Sequence, residues 1–269
     1  MKIAAVGENI IDDYHQREEA YIGGGCINFL MTLAEESKHQ LSYIGPIALD
    51  YYGESITQAL TEKEINVEYA TYLEGKSPLV KIEMHKGEKS YGQSRRGVLE
   101  AFRLTDQQIT LIQEQDHIHA TIIGGLLPLI NKMKSRGTVS FDYSRLQNER
   151  LILNTASFID FPCLSRDEFT QKERTLMEEI HKEGSKEVIL LLGDKGSVVY
   201  DGEKFTKIKS EKLSVIDTLG AGDAYISQYI SCRLTGVGIK SAMETATAKA
   251  IGVCQHFGGF PQKPMNSTF

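Results

Sequence analysis

The chain has 269 residues, 41% of them hydrophobic and 25% charged, with a formal net charge of −6. That length suits one large α/β domain, and the composition is that of a soluble globular protein. Its 30 lysines and arginines are scattered, which excludes a phosphate-tracking nucleic-acid surface, and no apolar run approaches a membrane span.

Lys2–Val6 reads as a first buried strand, cut off by Gly7-Glu8 and too short for a signal peptide. Asp12 falls just past it, at the edge where open α/β sheets take ligands; read alone it is equally a turn residue. Gly23-Gly24-Gly25 precedes an amphipathic helix with Ile27, Leu30, Met31 and Ala34 on one face. The glycines let backbone approach a ligand, or serve as a hinge, but they lack the dinucleotide spacing. Leu41–Ile47 is the next strand, and Asp50-Tyr51-Tyr52-Gly53 opens a helix. Residues 66–96 then turn β-rich, with strands at 67–72, 79–84 and 90–93 and breaks at 75–78 and 86–88. Consecutive strands without helices predict a small antiparallel sheet apart from the βα alternation. Arg95 and Arg96 follow; their guanidinium groups suit a substrate carboxylate or phosphate, or a solvated edge, and in extended chain they face opposite sides.

Thr105–Gln108 is a capping box for a helix through Ile112. Strand Ile118–Ile123, helix Leu126–Arg136 and strand Thr138–Phe141 imply parallel βαβ units, with His117 and His119 in structural positions. Phe158–Phe161 reads as a strand, after which Ser165-Arg166-Asp167-Glu168 opens a polar helix ending near Gly184. Glu187–Leu192 is the most apolar strand, followed by Gly193-Asp194-Lys195-Gly196, a phosphate-meeting loop or a tight hairpin turn. The last helix covers Ser241–His256, and the tail from Pro261 is expected to fray. Cys26, Cys163, Cys232 and Cys254 show no metal spacing and fit reduced thiols in a cytoplasmic protein.

The most informative stretch is Asp217-Thr218-Leu219-Gly220-Ala221-Gly222-Asp223. Ile226, Tyr229, Ile230 and Leu234 recur at helical spacing after it, so a helix starts near Gly220. A helix tip presents unpaired N–H groups and the positive end of the dipole, and the two glycines leave an anion room to approach. Asp223 beside such a tip suits a base acting while a phosphoryl group moves; the plain alternative is a capped turn. The whole string resembles the signature of the PfkB, or ribokinase-like, family of sugar and nucleoside kinases. The resemblance runs from Gly7 to about Gly259.

The resemblance implies a three-layer αβα fold, with a mostly parallel central sheet and a small β lid, as one domain over 1–269. The lid would come from about 13–22 and 66–96, and in the family it often pairs between subunits, which allows a homodimer. It implies ATP and Mg²⁺ as cofactors, with a monovalent cation required by some relatives. Asp223 would be the base, with Gly220, Ala221 and Gly222 stabilising the transferring phosphoryl group. Asp12, Gly23, Gly24 and Asn28 resemble the sugar site, with Arg95 or Arg96 for an acidic substituent. Gly193, Gly196, Asp217 and Gly258 fall at the nucleotide side. Glu168 matches the glutamate of a magnesium motif, acting through water, but Ser165 stands where that motif has asparagine, and Ser-x-x-Glu also fits a capping box. Ile118-His119-Ala120, Ser140-Phe141-Asp142-Tyr143-Ser144 and that serine look most like the fructoselysine 6-kinase branch, which phosphorylates the 6-hydroxyl of fructosamines. A fructokinase, ribokinase or nucleoside kinase, or a non-catalytic sugar- or nucleotide-binding regulator, is the alternative.

Overall fold

The computed structural model describes residues 1–36, 39–85, 88–134, 136–210 and 215–267. Its first strand, β1 (Lys2–Val6), alternates its side chains between two apolar layers. Ile3 and Ala5 enter one core cluster and Ala4 and Val6 the other, so β1 is buried on both faces as a central parallel strand must be. The chain continues through the hairpin β2 (Ile10–Tyr14) and β3 (Glu19–Gly23) into α1 (Gly25–Glu36) and β4 (Gln40–Ile44). β5 (Pro46–Ala48), α2 (Tyr51–Glu62) and β6 (Thr71–Leu73) lead to the hairpin β7 (Leu79–His85) and β8 (Glu88–Arg95). α3 (Asp106–Gln113), β9 (His117–Thr121), α4 (Ile130–Met133), β10 (Thr138–Asp142), α5 (Glu149–Ala156) and β11 (Phe161–Ser165) alternate in the βα manner. After α6 (Gln171–Lys182) come β12 (Val188–Leu191), β13 (Ser197–Tyr200) and β14 (Phe205–Ile208), then α7 (Ala221–Leu234), α8 (Ile239–Val253) and the short β15 (Met265–Asn266).

Eight strands form the main sheet in the order β14-β13-β12-β11-β10-β9-β1-β4. The pairs from β4 to β12 are parallel and the last two are antiparallel. Residues of α1, α7 and α8 join the core on one face, and those of α4, α5 and α6 the core on the other. This is the α/β architecture the sequence predicts, a mostly parallel sheet between helical layers with a smaller sheet beside it. Strand order reverses at β1, whose neighbours are β4 and β9, so a crevice opens at the carboxyl ends of β1 and β9.

The smaller sheet has the order β15-β3-β2-β7-β8. It differs from the expected lid in membership. The strand near 67–72 forms as β6 and pairs with β5 in a separate two-stranded sheet, because Thr71 N–H is taken by Gly45 O. β2 and β7 run parallel, so the sheet is mixed. The expected break at Lys86-Gly87 lies outside the described residues. The tail is not frayed through 265–266: Met265 and Asn266 pair with Ala20 and Glu19, and Tyr52 donates its hydroxyl to Asn266 O.

Three further expectations shift. Helix Leu126–Arg136 shrinks to a 3₁₀ turn at Leu127–Leu129 and the four residues of α4, since Pro128 has no N–H to give. The strand at Phe158–Phe161 slides to Phe161–Ser165, where Ser140 lies opposite Phe161. Ser165 therefore still belongs to a strand, and the helix after it begins later. Its true cap is Thr170, whose hydroxyl accepts from Lys172 N while Glu173 accepts from Thr170 N. Ser165 and Glu168 do not form a capping box.

Candidate active site

The helix tip lies where the signature string predicts it. α7 starts at Ala221, and its first internal bond runs from Ala224 N–H to Gly220 O at 2.9 Å. Gly220 caps it with φ +74°, a left-handed conformation; a Cβ there would lie 2.4 Å from Gly259 Cα. Of the amides expected to face an anion, Ala221 N–H turns to Thr218 O at 3.3 Å, and the tip faces the cleft through Ala221 and Gly222.

Asp223, in the first turn of α7, is half-buried. Asn28 Nδ2 donates to its Oδ2 at 2.8 Å from the first turn of α1. A carboxylate only accepts, so this contact fixes which end of the Asn28 amide faces it. Two more carboxyl groups share the crevice. Glu8, 1% exposed, accepts from Thr121 Oγ1 at 2.8 Å and from Cys26 Sγ at 3.4 Å. Its Oε1 and Asp223 Oδ1 lie 3.1 and 3.3 Å from the point a Cβ of Gly25 would occupy, and Thr121 Cγ2 at 2.8 Å, so a side chain there would push its neighbours aside. Burial pushes the Glu8 carboxyl up to about 7, with the Asp223 charge adding to it. Asp142, at the end of β10, is also pushed up to about 7, first by enclosure of its carboxyl and then by Asp223. Some of its residue surface remains exposed, but one carboxyl oxygen is already taken by Ser144 N–H at 2.7 Å.

Asp12 lies on β2 beneath Gly23, where a Cβ would come within 1.9 Å of Asp12 Oδ2. Beside the helix tip is a cleft of about 620 Å³. Ser144, Arg166, Leu191 and Gly193 form part of its wall at the strand ends, and Thr247, Ala250 and Ile251 of α8 another part. Tyr91 of β8 reaches it from the smaller sheet. Arg166 is buried, donates to the carbonyls of Ser144, Ser165 and Leu146, and is held below the usual guanidinium range by desolvation.

The model of the pfkB family carbohydrate kinases matches residues 8–264. The chain belongs to this family. Among curated relatives, fructoselysine 6-kinase of Shigella flexneri is 26% identical over 261 residues, covering 96% of this chain and 99% of that one. Fructosamine kinase FrlD of Bacillus subtilis is 25% identical over 265 residues, covering 97% and 93%. The ribokinase of Thermotoga maritima superposes with a TM-score of 0.77 at 20% identity, covering 96% and 94%. The Arabidopsis thaliana ribokinase complexed with ribose and ATP gives 0.80 at 17%, covering 96% and 93%. The protein is thus a pfkB-family phosphotransferase with an alcohol group of a sugar as acceptor.

In this pfkB kinase the residues expected at the site fall into two groups. Ala221, Gly222, Gly193 and Gly196 line the cleft, and Asp223 and Asn28 meet beside it. Asp217 and Gly258 do not line it. Asp217 is 5% exposed and accepts from Leu219 N at 3.0 Å, from Gly258 N at 3.3 Å and from the Tyr14 hydroxyl. Glu168 sits on the outer rim, its side chain 67% exposed and paired with Lys195 Nζ at 3.2 Å. Arg95 folds back onto Ser77 O at 3.3 Å, whereas Arg96 reaches Ile123 O at 3.5 Å past β9. The resemblance makes Asn28 a sugar contact; its bond to Asp223 is not legible in the sequence. Glu8 and Asp142 are not among the expected site residues, although both stand at strand ends, which is the available signal. Tyr14 carries none, since its partner is 203 residues away.

Proposed function

We propose that the kinase transfers the γ-phosphate of ATP to the 6-hydroxyl of fructoselysine or a related fructosamine. The observation that carries the kinase chemistry is the Asp223–Asn28 bond beside the tip of α7, at the mouth of a nucleotide-sized cleft. Asp223 removes the proton of the attacking hydroxyl, that oxygen bonds to the γ-phosphorus, and the bond to the bridging β,γ-oxygen breaks to leave ADP. Asn28 holds the carboxylate toward the acceptor, and the N–H groups and dipole of the tip oppose charge on the phosphoryl oxygens. Arg166, in the cleft wall with its guanidinium held by three carbonyls, adds a fixed positive charge to the nucleotide side. Among the described residues no three carboxylates, histidines or cysteines converge as a metal cage. Mg²⁺ brought in with the triphosphate would neutralise phosphate charge, and Glu168, paired here with Lys195, would hold it through water. The five-stranded sheet serves as the lid, carrying Asp12 against the sugar.

The acceptor class rests on the names of the 25–26% identical relatives and on Arg96. Its guanidinium, exposed at the lid edge, suits the carboxylate of an amino acid attached to the sugar. The test is an ADP-release panel with fructoselysine, another fructosamine, fructose, ribose and adenosine. Turnover should be highest with the fructosamines, and Arg96→Ala should raise KM for fructoselysine about tenfold while leaving fructose unchanged. Preference for ribose or adenosine replaces the acceptor, and release of no ADP with any of the five defeats the fructosamine reading.

A further inference from the structure

Tyr14 stands out because it joins two parts of the molecule that the sequence keeps far apart. It ends β2, with Asp12 two residues earlier on the same face of the strand. Its ring is 1% exposed and meets Tyr21 and Phe257 edge-on at 5.3 and 5.6 Å. Its hydroxyl donates to Asp217 Oδ2. The other oxygen of Asp217 accepts from Leu219 N, so the carboxylate braces the turn that enters Gly220 and the tip of α7. The segment that follows is pinned as well. Gly258 N–H donates to Asp217, a Cβ at Gly258 would lie 3.0 Å from the Tyr21 ring, and Gly259 packs on both Gly220 and Asn28.

We propose that Tyr14 is a positioning residue. Through Asp217 it sets the N–H cradle at the start of α7, so the strand that carries the acceptor-binding acid also fixes where the terminal phosphate sits. The inference rests on the nucleotide reading above and adds to it a residue outside the signature motif. The physical case is one of burial. Both partners are almost fully enclosed, Asp217 at 5% exposure, and water cannot replace a lost donor. Without the hydroxyl, the carboxylate must reorient toward the remaining amides and drag the Leu219–Gly220 turn with it. Tyr14→Phe keeps the ring contacts with Tyr21 and Phe257 and removes only the hydroxyl, with its bond to Asp217 and its contact with the Gly258 amide.

The effect should scale with the phosphates, which a general loss of structure would not do. The experiment titrates the full chain and Tyr14→Phe with adenosine, ADP–Mg²⁺ and the β,γ-imido analogue of ATP with Mg²⁺, and follows amide hydrogen exchange by mass spectrometry. Expected is a loss of about tenfold in affinity for the imido analogue, the size of one buried hydrogen bond to a charged group. Adenosine affinity should stay the same, and exchange should quicken at 217–224 but not in β1 or β9. Equal affinities and unchanged exchange at 217–224 in Tyr14→Phe overturn the proposal. So does a parallel loss for all three ligands, because that marks a structural role alone. Failure of the unmodified chain to bind any of the nucleotides is a separate result: it removes the ATP reading and the tether with it.

Discussion

In the proposed reaction Asp223 is the base; Asn28 holds one of its oxygens and the other lies beside Gly25. Glu8 and Asp142 share its crevice. Like charges in one crevice cannot all ionise cheaply, and burial, with the Asp223 charge adding to it, pushes Glu8 and Asp142 up to about 7. Asp223→Asn keeps the shape and the hydrogen-bonding capacity toward Asn28 but cannot take a proton. Its kcat should fall by roughly 10²–10⁴ with nucleotide affinity nearly unchanged. The measurement is steady-state ADP release alongside a binding titration, and full kcat in the Asp223→Asn variant would show that the proton leaves by another route.

At the scale of elements, α7 is anchored at both ends. Near its C-terminus Arg233 forms a bidentate pair with Glu187 at the foot of β12, and Tyr229 donates to the same carboxylate at 2.6 Å. At its N-terminus the anchor is backbone against backbone, Gly220 on Gly259. Gly220→Ala should therefore cost about 1 kcal/mol for the left-handed φ, plus the displacement of the 258–259 segment. Because that displacement moves the tip of α7 itself, kcat should drop more than thermal stability does; equal activity at a lowered Tm would contradict this. The contrast shows what the sequence could disclose. The Gly-Ala-Gly string and the 3.6-residue period locate the tip of α7, because both are local. The start of α6 is not legible in the same way: Ser-x-x-Glu and Thr-x-x-Glu boxes occur five residues apart, and only the pairing of Ser165 with Leu191 decides between them. β15 is hidden for the same reason: its strand character comes from the edge of β3, not from its own two residues.

For the whole molecule, the buried ionisable groups set opposing responses to pH. Glu8 and Asp142 have folded pKa values of about 7, above the ordinary values of 4.5 and 3.8, so the native state holds protons that the unfolded chain has released. Their contribution is complete below the unfolded values and is lost as pH rises toward 7, at up to about 1.4 kcal/mol per pH unit for each group. His117 and His119 act the other way. They are buried in a network with Ser140 and Thr138, and His119 stacks on Phe29 at 4.1 Å. Burial keeps both neutral, His119 down to about 3, so the unfolded chain takes up protons below 6.5 that the native state refuses. Stability from the histidines is present above that pH and is lost as pH falls. Carboxyls lowered by local bonds, such as Asp50 with Ser77, lose their contribution only at more acid pH. From about pH 5 to 6.5 two falling terms thus meet two rising ones, and stability should change little. Above about 6.5 the acids act alone and it should decline. Glu8→Gln removes one of the falling terms while its amide oxygen can still accept from Thr121. The difference in unfolding free energy, variant minus parent, should grow steadily from about pH 5 to 7.5 and level off beyond it. Urea unfolding at half-unit steps of pH measures that difference directly, and a flat difference curve would mean that Glu8 is ionised in the native crevice throughout.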